Sequence, residues 1–191
     1  MNRPAVTAWG LAALTLLAAS CTSSPPSPDG PLGTRADQSV GSQSLGVPCG
    51  FAATFGQLSF SNSGGPAQIG KVTLVDEHDL QVAAMWVVQV TGHHLIGVMA
   101  GYPPTGAKGM GPGFVAPGIH WATRQRADGA TVPRTPYPDA VNLVLVLSAT
   151  GMRGTAKAVN VYYESAGRQY LLNLRSSIEL FNDNSKECLQ N

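Results

Sequence analysis

The chain has 191 residues, with 12 Lys and Arg against 11 Asp and Glu, so its formal net charge is +1. A chain this close to neutral has no basic stripe of the kind that nucleic acids bind, and we expect no nucleic acid partner. Charged residues make up only 12%, whereas Gly and Pro number 22 and 14. This composition favours one loop-rich β domain over a helical protein.

The first 20 residues have the build of a bacterial secretory signal. Arg3 precedes an apolar run over residues 5–19, and small residues lead into Cys21. The run is shorter than the roughly 20 apolar residues of a membrane-spanning helix. Ala18 stands three positions before the cysteine, where lipoprotein signals usually carry Leu and also accept Ala. We predict residues 1–20 to be a lipoprotein signal peptide and Cys21 to carry lipid, including palmitate; the alternative is a cleaved signal that leaves Cys21 a free thiol.

Export determines the state of the other cysteines. The chain has three, and acylation of Cys21 leaves Cys49 and Cys188 as a pair. In an oxidising compartment such a pair predicts a disulfide. It would close a loop of about 140 residues and, by the chain-entropy model, contribute about 4–5 kcal/mol. The predicted location is therefore the extracytoplasmic face of the cell membrane, with the acylated Cys21 in the lipid.

Residues 21–47 are rich in Ser, Pro and Gly, which predicts a disordered tether with a reach of roughly 25–30 Å. The predicted domain covers residues 48–191. Alternation of polar and apolar residues within it is typical of half-buried strands separated by turns. These predicted strands lie near residues 57–61, 69–75, 80–91, 119–121, 141–147, 155–163, 169–174 and 177–181.

About seven or eight short strands without a helical period predict an all-β fold, an immunoglobulin-like antiparallel β-sandwich, with a barrel as the alternative. The predicted strand 141–147 is apolar on both faces, which places it in the middle of a sheet. In the longest predicted strand one face is apolar, so Trp86 is expected in the core, as is Trp121. The residues of that face are Leu80, Val82, Ala84, Trp86, Val88 and Val90.

Four segments resemble uncharacterised exported proteins of actinobacteria. They are LSFSNSGGP at residues 58–66, KVTLVD at 71–76, GYPP at 101–104 and RADG at 126–129. The resemblance covers residues 49–181. It implies a family without an established activity, so no catalytic residues carry over.

Residues 92–118 interrupt the strand pattern, since 12 of these 27 residues are Gly or Pro. A loop this long in a compact domain is usually functional or mobile. Tyr102, followed by two prolines, is a candidate contact of a recognition loop. Imidazole and thioether side chains suit copper, which makes a metal site the alternative role of this region. Its candidate ligands are His93, His94, Met99, Met110 and His120.

Motifs for catalysis are not found in the sequence. It has no G-x-S-x-G elbow and no pair of carboxylates spaced for glycosidase chemistry. The segment GPAQIGKV at residues 65–72 nearly matches a phosphate-binding loop, but Val72 cannot ligate magnesium and a strand follows it. We therefore expect a binding or interaction module, without enzymatic activity or cofactor, whose partner is an envelope protein or a small ligand. The alternative function is an exported copper carrier.

Overall fold

The structure is a computed structural model that describes residues 25–34, 41–48, 50–102 and 118–182. These residues form strands and one short 3-10 turn (Trp121–Thr123), with no α-helix among them. No helix in this part of the chain is long and apolar enough to cross a bilayer. The described strands are β1 (Leu32–Thr34), β2 (Ser42–Val47), β3 (Ala53–Asn62), β4 (Ala67–Val75), β5 (Leu80–Val90), β6 (Val98–Ala100), β7 (Gln125–Arg126), β8 (Thr131–Val132), β9 (Ala140–Ala149), β10 (Arg153–Ala156), β11 (Ala158–Ser165), β12 (Arg168–Leu174) and β13 (Ser177–Asn182).

Three sheets pack around a common core. The six-stranded sheet has the order β1-β3-β9-β5-β7, with β6 also paired to β3. The four-stranded sheet has the order β12-β11-β4-β8, and the three-stranded sheet β10-β13-β2. All strand pairs are antiparallel except β2 with β13. The all-β class and the packing of antiparallel sheets, as in a β-sandwich, agree with the sequence prediction. The number of strands does not, because five short strands of two to four residues add to the longer ones.

The main core lies between the sheets, and β9 forms its centre. Val141, Leu143, Leu145 and Leu147 of this strand point into the main core and are fully buried. Val144, on the opposite face of β9, belongs to a second cluster on the outer side of the six-stranded sheet. Strand β9 is therefore covered on both faces, as its sequence predicts. We call the second group the outer cluster; it consists of Val88, Val90, Ile96 and Val144, with Trp86, Met99, Ile119 and Trp121 packed against it.

Strand β5 does not keep one face toward the core as predicted. A bulge between Val82 and Ala84 shifts its register against β9. An extra residue reverses the alternation of side chains, because strand residues point to alternate faces. Val82 packs against the main core before the bulge, and Met85 does so after it. Trp86 consequently packs, half-buried, against the outer cluster and not on the face of Val82, where uninterrupted alternation would have placed it.

The structure also differs from the disordered tether expected over residues 21–47. Within that range β1 pairs with β3, and β2 pairs with β13. Leu32 of β1 and Val47 of β2 are 3% and 1% exposed. The composition concealed these strands because an edge strand needs few apolar side chains and takes its remaining stability from backbone hydrogen bonds.

The predicted short strand at residues 119–121 is also replaced by other structure. Ile119 forms an isolated bridge with Val90, and the 3-10 turn begins at Trp121. Strand β7 follows and pairs with β5. The chain thus returns to the edge of the six-stranded sheet immediately after the Gly- and Pro-rich region.

Candidate functional site

The two ends of the loop predicted at residues 92–118 lie side by side at the end of β5. The Thr91 N–H donates to the Gly118 carbonyl at 2.8 Å, and the His120 N–H donates to the Gln89 carbonyl at 3.0 Å. Gly118 has φ 95°, and a Cβ there would lie 2.8 Å from the Thr91 carbonyl oxygen. A side chain at Gly118 would therefore separate the two ends of the loop.

The first arm of the loop packs onto the outer face of the six-stranded sheet. Ile96 is fully buried in the outer cluster, and its N–H donates to Asn142 Oδ1 at 3.3 Å. Gly56 of β3 makes room for it, since a Cβ at Gly56 would lie 2.6 Å from Ile96 Cβ. Met99 also packs against this cluster. The outer face is therefore a second, smaller core that fixes the loop arm.

At the margin of the outer cluster, its two indoles and two guanidinium groups form a row on the side of the sheet near β7. We call it the Trp–Arg ladder: Trp121, Arg124, Trp86 and Arg126. Arg124 Cζ lies 4.9 Å from the Trp121 ring centroid and 5.0 Å from that of Trp86. Arg126 Cζ lies 5.1 Å from the Trp86 centroid. Each contact is at cation–π distance and is worth about 0.5–1 kcal/mol when exposed, and about 2 when desolvated.

Backbone geometry holds the ladder in place. The antiparallel register sets Trp86 opposite Arg126, and the Ala127 N–H donates to the Met85 carbonyl at 3.0 Å. Arg124 Nη1 donates to the Trp121 carbonyl at 3.2 Å. The backbone that carries Trp86 and the Arg124 guanidinium are therefore held in place before any partner arrives, which lowers the entropic cost of binding.

The electrostatics of the ladder are unbalanced. No ion pair joins Arg124 or Arg126 to a carboxylate within the described part of the chain, where the paired cations are Arg153 and Lys157. The Trp86 Nε1 and Arg124 Nε donors are buried and have no acceptor among the same residues. The two positive charges, with no carboxylate partner in this part of the chain, suit a ligand that brings negatively charged oxygen atoms.

The described histidines among the predicted metal ligands do not form a three-residue cluster. The His93 ring packs edge-on against Tyr137 at 5.5 Å, and His120 precedes the 3-10 turn. His94 lies against Gly118, so a Cβ there would be 2.7 Å from its Cδ2 atom. Across the described ranges, no group of three or more His, Cys, Asp or Glu side chains is arranged to hold a metal ion. Met110 lies outside these ranges, and the copper alternative stays a prediction.

Tyr102, the predicted contact of a recognition loop, lies at the opposite edge of the sheet from the ladder. It is half-buried and follows β6, which pairs with β3. Thr54 Oγ1 donates to the carbonyl of the preceding Gly101 at 2.7 Å. Tyr102 and the Trp–Arg ladder therefore belong to different surfaces.

Sequence reasoning missed the ladder for an identifiable reason. It took Trp86 and Trp121 as core residues and gave Arg124 and Arg126 no role. The available signal was the pair Arg124 and Arg126, whose spacing of two puts both on one face of an extended segment. That signal becomes informative only when the strand opposite carries a Trp in register.

A polar cleft of about 580 Å³ lies elsewhere, where β2, β3 and the end of β12 meet. Gln43 lines it and donates from Nε2 to Ser176 Oγ at 3.0 Å. Its Oε1 is buried without a partner in the described segments. Because this acceptor is buried, the ladder is the better defined site.

All three cysteines lie outside the described residues, so the predicted acylation of Cys21 and disulfide between Cys49 and Cys188 stay predictions. The pairing of β2 with β13 bears on the predicted disulfide. Val47 is paired with Asn182 at the ends of two parallel strands. Cys49 follows Val47 by two residues, and Cys188 follows Asn182 by six, so the chain leaves both strands at the same end of the sheet.

Comparisons of the chain with protein-family models, curated proteins and solved structures find no match.

Proposed function

We propose that the chain is a lipoprotein, anchored through acylated Cys21 on the extracytoplasmic face of the membrane, whose domain is a non-catalytic binding module. The apolar signal before Cys21 supports the anchor, and the parallel pair Val47–Asn182 supports a disulfide between Cys49 and Cys188. The immunoglobulin-like character of the sandwich, and its grouping with exported actinobacterial proteins, belong to the same proposal.

The observation that carries the binding role is the Trp–Arg ladder. Aromatic residues and arginines dominate the energy of protein interfaces, because they combine large contact area with directional hydrogen bonds. Here Arg124 is held against two indoles, which keeps its guanidinium in one place, and Arg126 extends the row as an exposed side chain. Charge complementarity points to an acidic segment of an envelope protein as the partner.

Site-specific photo-crosslinking in intact envelopes tests this function. A photo-reactive amino acid replaces exposed Ala122, beside the ladder, and in a control protein it replaces exposed Lys157. We expect a protein adduct at position 122 and none at position 157. Mass spectrometry of the adduct should identify a cross-linked peptide rich in Asp and Glu.

A charge variant makes the test specific. The double variant Arg124→Gln with Arg126→Gln should lower the adduct yield by about tenfold or more, since each charge-assisted hydrogen bond is worth roughly 1.5–3 kcal/mol. Arg175→Gln, at an exposed arginine that follows β12, is the matched control and should leave the yield unchanged. Equal yields from the double variant and the control would contradict the proposed site.

A further inference from the structure

The direction of the N-terminal segment determines which end of the domain is nearest to the lipid anchor. Ser27 forms a parallel bridge with Tyr170 of β12, with its N–H donating to the Gln169 carbonyl at 3.2 Å. Strand β12 runs away from its turn with β11, so the segment runs the same way. Pro25 is therefore beside that turn, where it shares a shallow cavity with Gly167 and Arg168.

The covalent distance from the anchor to this point is short. Four Cα–Cα steps separate Cys21 from Pro25, and even a fully extended chain covers only about 14 Å over them. A disordered tether through residue 47 would have allowed roughly 25–30 Å. Because the chain is already docked at Pro25, the domain has no room to stand away from the surface that holds Cys21.

The end that faces this surface can be identified from the strand registers. Ala67 at the start of β4 pairs with Ser165 at the end of β11 and with Val132 of β8. Asn62 at the end of β3 bridges to Thr135. These pairs place three connections at the same end of the domain as the base of the loop 92–118, since the Gly92 N–H donates to Asp139 Oδ1 at 2.9 Å. We call these three connections the turn end: residues 63–66, 133–139 and 166–167.

The turn end carries side chains that suit a lipid headgroup region. Tyr137 is 71% exposed, the largest exposure among the large hydrophobic side chains of the described residues, and Arg134 is also exposed. Tyr is favoured at membrane interfaces because its ring is apolar and its hydroxyl is polar. The positive charge of nearby Arg168 is offset by the negative charges of the exposed Asp29 and Glu164 carboxylates. The anchor, more than charge, would therefore hold this end at the surface.

We infer that the turn end rests on the phospholipid bilayer, with Tyr137 in the headgroup region, and this inference depends on the proposed acylation of Cys21. The Trp–Arg ladder lies halfway along β5, since Trp86 occupies the middle of Leu80–Val90. It therefore stays accessible from the side while the turn end is covered. The short anchor acts by raising the effective concentration of the turn end at the lipid.

Lipid quenching tests the orientation. A fluorescent amino acid is placed at Tyr137 or at exposed Thr150, which follows β9 at the opposite end of the six-stranded sheet. The mature acylated protein is then reconstituted in phosphatidylcholine vesicles that contain headgroup-spin-labelled lipid. We expect strong quenching at position 137 and little at position 150, with weak dependence on salt because the turn end has balanced charge.

An insertion provides the matched control. About 20 Gly and Ser residues between Ser24 and Pro25 add roughly 25 Å of reach and should reduce quenching at position 137 to the level at position 150. The intact mass of each sample reports acylation independently. A chain without the acyl group would overturn the proposed anchoring together with this inference. An acylated chain that is quenched equally at both positions would overturn the inference alone.

Discussion

Docking of the N-terminal segment can be tested by adding one methyl group at Gly30. A Cβ at this position would collide with the Tyr163 hydroxyl and lie 2.7 Å from Tyr170 Cδ1. The two tyrosine rings are stacked with centroids 5.3 Å apart, and Tyr163 is only 3% exposed. Because the Tyr163 ring is buried and cannot move cheaply, Gly30→Ala should force the segment away from the four-stranded sheet.

The magnitude follows from what the segment loses. Overpacking of this kind costs about 1–3 kcal/mol. Undocking would instead relieve the clash but expose Leu32, whose burial is worth about 1.5–3 kcal/mol, and break the hydrogen bond from the Leu32 N–H to the Tyr163 hydroxyl at 3.2 Å. We therefore expect Gly30→Ala to lower the free energy of unfolding by about 1–3 kcal/mol, with the segment undocking first.

Urea denaturation and hydrogen exchange measure the two parts of this effect. Gly33→Ala is the matched control, because no atom lies within 4 Å of a Cβ at that position, and its effect should stay within about 0.5 kcal/mol. Amides near Ser27 and Leu32 should lose protection in Gly30→Ala alone. If both variants were as stable and as protected as the parent, the segment would not be docked, and the expectation of a free tether would stand.

Three further predictions concern other parts of the molecule. Burial raises the pKa of Tyr163 despite the hydrogen bond from the Leu32 N–H, and Tyr170 raises it further. Because the phenol ionises at lower pH in the unfolded chain than in the folded one, the free energy of unfolding should fall as pH rises above about 10. Urea titrations at several pH values should show a smaller fall for Tyr163→Phe. In urea denaturation, Ile96→Ala should lower the free energy of unfolding by about 2–5 kcal/mol, whereas Leu95→Ala, at the exposed neighbour, should change it by no more than about 0.5 kcal/mol. Equal effects of the two variants would contradict docking of the loop arm. Cys49→Ser or Cys188→Ser should each cost about 4–5 kcal/mol in oxidised protein and nothing after reduction, whereas unchanged oxidised stability would contradict the disulfide.

The parts of the fold that could be predicted from the sequence are the strands with one continuous buried face. In β9 the residues at alternate positions are apolar without interruption, so its place at the centre of a sheet follows from the pattern alone. Strand β11 likewise carries Val159, Val161 and Tyr163 in the main core, as their spacing of two predicts.

Edge strands were harder to predict because backbone hydrogen bonds, and not apolar side chains, provide most of their stability. Strand β2 has the sequence SQSLGV, in which Gln43 stands where an apolar residue would have completed the alternation. Gln43 is nonetheless 7% exposed, since its amide donates to Ser176 Oγ. A partner for that amide, 133 residues away, is not visible in a local pattern.

The candidate site could not be predicted because it depends on a single irregularity. Without the bulge at Ala83, strict alternation from Leu80 would have placed Trp86 in the main core and Met85 outside. The bulge exchanges them, so that Met85 pairs with Leu145 on the inner face and Trp86 with Val144 on the outer face. A large amphipathic ring thereby comes to the surface opposite β7, where two guanidinium groups at alternate positions can reach it. The half-buried ladder, with Arg126 as its exposed member, is thus a consequence of one extra residue in β5, because the strand does not continue regularly.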